Sequence, residues 1–209
     1  MYKRDVRLIE DYVAQSPEHM FYMFLFVWCT IQKGLSTVEL QMDDYFKEGV
    51  ESRHLNMGHK REGVEYYRQN ASWLWGRLHY LRDMGRNDPE IIAEAILMLL
   101  DAPGLGIAKS GFVLQCMGFD VACMDSHNLK RMGLKEGAFK DNPKAKRATR
   151  LKRNLAYVKM CQQKQYSQQG SEYWWDSWCN FVAGNRANRR LITGDAVSAF
   201  HVHCITKYK

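Results

Sequence analysis

The sequence contains no closely spaced pair of cysteines. None of its six cysteines lies in a C-x-x-C pattern, and all six are scattered among apolar positions. Zinc ribbons and related metal sites are built on such pairs, so their absence argues against a cysteine-based metal centre. The scattered positions instead indicate buried, reduced thiols in a cytoplasmic protein.

Long apolar runs and alternating patterns are missing as well. The longest apolar run, residues 21–31, is shorter than the roughly 20 residues that cross a bilayer, and no cleavage-site pattern accompanies it. No stretch alternates between apolar and polar residues, and there is neither an Asn-Gly turn nor an internal repeat. We therefore expect an all-α protein without a membrane segment, in which residues 21–31 belong to a buried core helix.

Capping residues and helical spacing predict where the helices lie. Ser16-Pro17 and Asp88-Pro89 each place a capping side chain before a proline at the first helical position. Ser36 and Glu39 have the spacing of a capping box. Together with apolar stripes, these signals predict helices over residues 3–15, 16–34, 36–49, 63–84, 88–102, 155–165 and 196–204.

A glycine-rich turn, Pro103-Gly104-Leu105-Gly106, separates two of these apolar helical segments. Glycine tolerates positive φ and lets another backbone approach closely. The amides that follow the turn start a new helix, and such a start favours phosphate. Near the end of this unit a polar cluster, Met124-Asp125-Ser126-His127-Asn128, follows an apolar run. The turn and the cluster together predict a phosphate grip beside a functional carboxylate.

This arrangement resembles the helix-hairpin-helix DNA glycosylase superfamily. The family's hairpin and its V-D-T/G-H/N segment match residues 102–110 and 124–127 here, over about thirty residues of chain. The resemblance implies two helical lobes around a cleft, residues 63–133 forming one and residues 1–62 plus 134–209 the other. In one respect the chain differs from the lysine-dependent glycosylases. Their nucleophilic lysine aligns with Ala108, and Lys109 lies one position further on, roughly 100° around a helix.

The strings PGLGIAKSGFVLQCMGF, CMDSHNLKR and SEYWWDSWC are similar to a narrower group, the phage-type relatives that hypermodify thymidine. The resemblance implies an enzyme that replaces pyrophosphate on 5-pyrophosphoryloxymethyl-uracil in DNA with an amine. Asp125 would then deprotonate the incoming ammonium, and His127 and Asn128 would orient it or bind the uracil. Lys109, Lys130 and Arg131 would stabilise the departing pyrophosphate. The four clustered cysteines of iron–sulfur superfamily members are absent, so we expect no cofactor.

The chain carries a net charge of +7, which favours an anionic partner such as nucleic acid. Residues 140–153 hold seven basic residues against one aspartate. Such a run is often a solvated helix face, but beside the hairpin it favours contact with DNA phosphates. The predicted DNA contacts are Gly104, Gly106, Ile107, Lys130, Arg131, Lys144, Lys146, Arg147 and Arg150.

An aromatic helix is predicted after residue 171, and it contains Trp174, Trp175 and Trp178. Some of these rings are expected in the core, whereas one could stack on the target base. Glu172 and Asp176 are four residues apart and share a face, where they could hold an amine or simply cap the helix. The predicted base or amine pocket therefore comprises Trp174, Trp175, Asp176 and Glu172.

Two other functions remain open at this stage: a base-excision glycosylase acting on a flipped base, and a non-catalytic DNA-binding module. No metal site is predicted, because His54 and His59 lack acidic or cysteine partners at ligand spacing and His201 and His203 lie about 200° apart on a helix. The expected partners are double-stranded DNA with modified thymine and a small amine. We expect a monomer without membrane contact, located in the host cytoplasm if the gene is phage-encoded.

Overall fold

The computed structural model describes residues 2–31, 34–53, 55, 58–135, 137–163, 171–183, 191 and 193–208. Over these residues the protein is all-α, with about ten helices and no strand, as the sequence predicts. None of the helices described is both long enough and apolar enough to cross a membrane. The helices are α1 (Tyr2–Val13), α2 (Pro17–Cys29), α3 (Val38–Glu48), α4 (Gly58–Gly85), α5 (Pro89–Leu99), α6 (Ile107–Cys116), α7 (Ser126–Arg131), α8 (Arg147–Gln162), α9 (Ser171–Val182) and α10 (Gly194–Thr206).

Helix α2 lies at the centre of the fold. Ser16 caps it by accepting a hydrogen bond from the backbone N–H of His19 at 3.1 Å, and Pro17 occupies the first helical position, as predicted. The ten residues from Met20 to Cys29 are all buried, so this helix is apolar on every face. Such a helix is stable only when neighbours surround it, and α2 contacts α1, α3, α4, α6 and α10.

The long helix α4 packs one face against α2. Its buried stripe includes Tyr67, whose hydroxyl donates to the carbonyl of Pro17 at 2.6 Å. Gly63 lies directly against the Trp28 ring, where an added Cβ would come within 2.5 Å of the indole. The absence of a side chain at Gly63 therefore allows the two helices to approach closely.

Three helix starts differ from the sequence predictions. Helix α4 begins at Gly58, five residues before its predicted start, and α8 begins at Arg147, well before residue 155. Helix α3 begins at Val38 with Thr37 as its N-cap, so the predicted capping box at Ser36 is wrong. The Thr37 hydroxyl donates to the carbonyl of Gly34 at 2.9 Å, which closes a short turn ahead of the helix.

All six cysteines are buried and unpaired, which confirms the prediction of buried free thiols. Burial raises the pKa of each thiol above its ordinary range, to about 12 for Cys29, Cys123 and Cys161. The thiols are therefore protonated near neutral pH, and a protonated thiol is a poor nucleophile.

Candidate active site

The hairpin between α5 and α6 is anchored from below by the core. Gly104 adopts a φ of 82°, a conformation that favours glycine. The indole N–H of Trp28 donates to the carbonyl of Pro103 at 3.0 Å. A Cβ at Gly104 would also meet His59 at 3.1 Å, so this glycine faces α4 closely. These contacts fix the turn and thereby the direction in which α6 begins.

Gly106 leaves the start of α6 open. It is the N-cap residue, no side chain caps the first turn, and a Cβ built there would meet nothing within 4 Å. The side chain of Ile107 is buried, so only its backbone N–H can contact a phosphate. The first N–H groups of a helix lack intrahelical partners. Another molecule's backbone can therefore approach them at Gly106.

Asp125 is the N-cap of the short helix α7. Its Oδ1 accepts a hydrogen bond from the backbone N–H of Asn128 at 3.0 Å, and the indole N–H of Trp178 donates to its Oδ2 at a long 3.4 Å. The side chain is partly buried. The carboxylate is thus held from two directions while part of it still reaches solvent.

Tyr157 of α8 holds the non-helical segment that leads to Asp125. Its hydroxyl donates to the carbonyl of Ala122 at 2.5 Å and accepts from the N–H of Met124 at 2.9 Å. Tyr157 is fully buried, and burial raises its pKa well above the ordinary range, so the hydroxyl keeps its proton. Gly111 of α6 lies against the same atoms, and a Cβ there would be 2.6 Å from the Ala122 carbonyl oxygen.

Two further buried side chains hydrogen-bond the backbone of Cys123. The Gln115 side-chain oxygen accepts from its N–H at 3.4 Å, and the Asn128 side chain donates to its carbonyl at 2.8 Å. Asn128 is buried, so this amide serves the backbone. The segment before Asp125 therefore relies on side chains where a helix or strand would rely on backbone partners.

An open pocket joins the start of α6 to Asp125. It has a volume of about 240 Å³. Its polar lining combines Asp125 and Ser126 with Lys140 and Asp141. The open pocket is lined by Gly106, Ile107, Ala108, Met124, Asp125, Ser126, Leu129, Phe139, Lys140, Asp141 and Tyr157.

Lys109 extends into a separate, mostly enclosed space, the aromatic cavity. Its ammonium donates to the Thr30 hydroxyl at 3.1 Å and lies 5.6 Å from the centre of the Phe112 ring. The cavity has a volume of about 20 Å³, enough for one water molecule. Its lining residues are Thr30, Lys109, Phe112, Gln115, Cys123, Trp174, Trp175 and Trp178. Trp178 also donates a hydrogen bond to Asp125, which lines the open pocket.

The tryptophans predicted as a base or amine pocket are mainly core residues that also line this cavity. The indole N–H of Trp174 donates to the Cys161 carbonyl at 3.1 Å, and that of Trp175 donates to the Ser198 hydroxyl at 2.8 Å. Asp176 is partly buried on the same helix. The side chains of three other predicted site residues lie outside the described part of the structure: His127, Arg131 and Glu172.

His201 lies beside the aromatic cavity, a position that no pattern in the sequence indicates. Its Nδ1 is 2.6 Å from the Val197 carbonyl oxygen, while its Nε2 has no hydrogen-bond partner among the described residues. The ring packs edge-on against Trp175 and Trp178. Burial lowers its pKa to about 4, the carbonyl of Val197 opposes that shift, and Lys109 adds to it. His201 is therefore neutral near pH 7.

The predicted DNA-contacting side chains fall into two groups. Lys130, Lys144 and Lys146 are exposed. Arg147 pairs with Glu94, and Arg150 makes two hydrogen bonds to Asp141 at 3.0 and 3.1 Å, with both partners of the second pair largely buried. The positive charge of Arg150 is therefore neutralised inside the protein, whereas the lysines are open to an anionic partner.

The described residues contain no group of three or more His, Cys, Asp or Glu side chains that could hold a metal ion. His203 forms an ion-pair contact with Glu39 on the surface at 3.0 Å, whereas His201 is buried, so these two histidines face different surroundings. His54 lies outside the described residues, and His59 packs against Gly104.

Comparisons of the chain with protein-family models, with curated proteins and with solved structures found no match.

Proposed function

We propose that this protein is a DNA base-modifying transferase that replaces pyrophosphate on 5-pyrophosphoryloxymethyl-uracil with an amine. The observation that carries the proposal is the open pocket, in which the uncapped start of α6 and the partly buried Asp125 face the same space. The helix-hairpin-helix resemblance assigns phosphate binding to the first and chemistry to the second. In this proposal double-stranded DNA lies across the pocket and presents a flipped base to Asp125.

The two-lobed architecture expected from the resemblance is part of this proposal. Both the open pocket and the aromatic cavity take lining residues from residues 63–133 and from the remainder of the chain. This shared lining supports a cleft between the two predicted lobes, with the site at its floor. The buried apolar side chains form one continuous cluster across that boundary, so the lobes would share a core.

The chemical step forms a bond between the amine nitrogen and the exocyclic methylene carbon on C5 of the uracil. The bond from that carbon to pyrophosphate breaks, and pyrophosphate leaves with the electron pair. Asp125 removes a proton from the ammonium before attack, because a protonated amine has no lone pair to donate. Its two hydrogen-bond donors, the backbone N–H of Asn128 and the indole N–H of Trp178, hold the carboxylate in position.

The departing pyrophosphate requires positive partners. The unpaired N–H groups after Gly106 and the ammonium of Lys140 line the same pocket as Asp125. Lys109 was expected to serve this purpose, but its ammonium is bonded to Thr30 in the aromatic cavity. We therefore assign pyrophosphate to the start of α6 and Lys140.

Product analysis tests this proposal. The protein is incubated with duplex DNA containing 5-pyrophosphoryloxymethyl-uracil and pooled amino acids or polyamines, and the DNA is digested to nucleosides for mass spectrometry. We expect a new nucleoside whose mass equals hydroxymethyl-deoxyuridine plus the amine minus water. Abasic sites, or an adduct trapped by borohydride that disappears in Lys109→Ala, would instead establish a glycosylase and overturn the transferase assignment.

A further inference from the structure

Helix α4 carries a second apolar face that no part of the described chain covers. Besides its buried stripe, it presents Trp73, Tyr80 and Met84 with exposed fractions of 54%, 53% and 57%. Arg77 lies among them, with its guanidinium 5.0 Å from the Tyr80 ring. We call Trp73, Arg77, Tyr80 and Met84 the exposed stripe. A helix that is apolar on two faces is typical of one that packs against neighbours on both.

Gly76 lies beside the exposed stripe in the middle of α4. A Cβ built there would meet nothing within 4 Å, so no contact within the chain requires a glycine at this position. Glycine weakens a helix interior relative to most other residues. A second helix that packs closely beside Gly76 would account for the missing side chain.

The composition of the exposed stripe favours a protein partner over nucleic acid. Tryptophan, tyrosine, methionine and arginine are the residue types enriched in protein–protein interfaces, and lysine and glutamate, which interfaces disfavour, are absent from the stripe. Arg77 is its single cation. A surface that binds a polyanion gains its affinity from several cations, and the exposed lysines of residues 140–153 suit DNA better.

We propose that the exposed stripe binds the same stripe of a second copy, with the two α4 helices antiparallel. The stripe residues are spaced by four, three and four positions, so an antiparallel copy places Trp73 against Met84 and Arg77 against Tyr80. Each of these pairs then occurs twice about a two-fold axis. A thioether against an indole and a guanidinium against a phenol ring are both attractive pairs.

This dimer replaces the monomer expected from the sequence, and it is independent of the proposed chemistry. None of the stripe residues lines the open pocket or the aromatic cavity. A failure of the dimer therefore leaves the transferase proposal standing, and a failure of the transferase leaves the dimer standing.

Molar mass in solution tests the association. Light scattering after size exclusion should give twice the 24.5 kDa chain mass for the wild type at micromolar concentrations. At concentrations where both proteins are monomeric, Gly76→Gln should melt at a higher temperature than the wild type, since glutamine is the better helix former. It should nevertheless associate roughly tenfold or more weakly, because its side chain adds bulk beside the central Arg77–Tyr80 pairs. Leu40→Ser is the control, since it removes an apolar side chain that is 61% exposed on α3 and should leave the dimer intact.

Cross-linking tests the register. Trp73→Cys and Met84→Cys chains, distinguished by a tag on one of them, are each treated alone with a short bismaleimide and then treated as a mixture. The native thiols do not interfere because all are buried. Identical positions would lie eleven residues apart along the antiparallel pair, about 16 Å. We therefore expect cross-linked dimers in the mixture and almost none in either chain alone. A wild type that is monomeric at every soluble concentration overturns the proposal. If DNA added to that monomer shields Trp73 from a soluble fluorescence quencher, the stripe binds DNA instead.

Discussion

The open pocket and the aromatic cavity are linked by the hydrogen bond between Asp125 and Trp178 but differ in almost every physical property. The open pocket is wide and combines Asp125, Asp141 and Lys140 with backbone N–H groups. The aromatic cavity is nearly closed, and its walls are three tryptophans and a phenylalanine around the ammonium of Lys109. Charges that reach solvent interact weakly, whereas a charge among apolar walls acts in a low dielectric. The two predicted catalytic residues therefore lie in different surroundings, although both follow the hairpin in sequence.

Under the proposed function, this difference determines where each group of the substrates binds. Anionic groups, namely the DNA backbone and pyrophosphate, suit the open pocket because its N–H groups and Lys140 are hydrated and accessible. The flipped base also belongs in the open pocket beside Asp125, because the aromatic cavity has room for only about one water molecule. A second ammonium does not suit the cavity, because Lys109 already occupies the position over Phe112. The amine should therefore approach Asp125 from the open side.

Of the changes considered, removal of Arg150 should disturb the open pocket most, because Arg150 pairs with Asp141 in the pocket wall. Arg150→Met leaves Asp141 largely buried without its partner, and we expect a loss of about 3–5 kcal/mol in unfolding free energy. Lys144→Met and Lys146→Met should change stability by less than about 0.5 kcal/mol. They should instead weaken DNA binding and each lower the salt slope by about 1. Urea unfolding and salt-dependent anisotropy measure the two effects.

Tyr157→Phe tests the support behind Asp125. The change leaves the Ala122 carbonyl and the Met124 N–H buried without a partner, so we expect a loss of about 2–4 kcal/mol. Hydrogen exchange should speed up first at Met124. A loss below about 0.5 kcal/mol would mean that this tyrosine does not hold the segment.

The pH dependence of stability tests the aromatic side. The pKa of His201 is lowered from 6.5 in the unfolded chain to about 4 in the folded protein. Folding therefore stabilises the neutral imidazole over its charged form. This contribution to the free energy of unfolding is fully present above pH 6.5 and is lost as the pH falls towards 4, by up to roughly 3 kcal/mol. His201→Phe should flatten this part of the profile. The pKa values of Glu39 and Asp43 are also lowered; at Asp43 burial opposes the shift, and at both residues Lys207 favours it. Their contribution to stability therefore also falls as the pH decreases, and it does so equally in the wild type and in His201→Phe.

Local signals predicted much of the fold. Ser16 and Asp88 cap helices as their sequence context indicates, and residues 20–29 are buried because the run has no polar face. The surroundings of the site were not predictable in this way. Thr30 meets Lys109 across 79 positions, and Tyr157 meets Met124 across 33, and no local pattern encodes such contacts.

The pairing of Arg150 was also not predictable from a local pattern. A run of basic residues suggested a DNA contact at each cation, yet Asp141 within that run pairs with Arg150. The eight residues between them span a loop and the first turn of α8, so the approach of Arg150 to Asp141 depends on how the loop folds. The site of His201 was hidden for a similar reason, because its aromatic neighbours come from α2, α6 and α9.

The most direct test of the central claim compares Asp125→Asn with Asp101→Asn in the transferase assay. Asparagine still caps a helix, so the fold should survive, and Asp101 is an exposed residue outside both spaces that undergoes the same change of charge. We predict that Asp125→Asn lowers the rate at least about 100-fold with unchanged or tighter DNA binding, while Asp101→Asn keeps its rate. Equal rates for the two variants would contradict a catalytic Asp125.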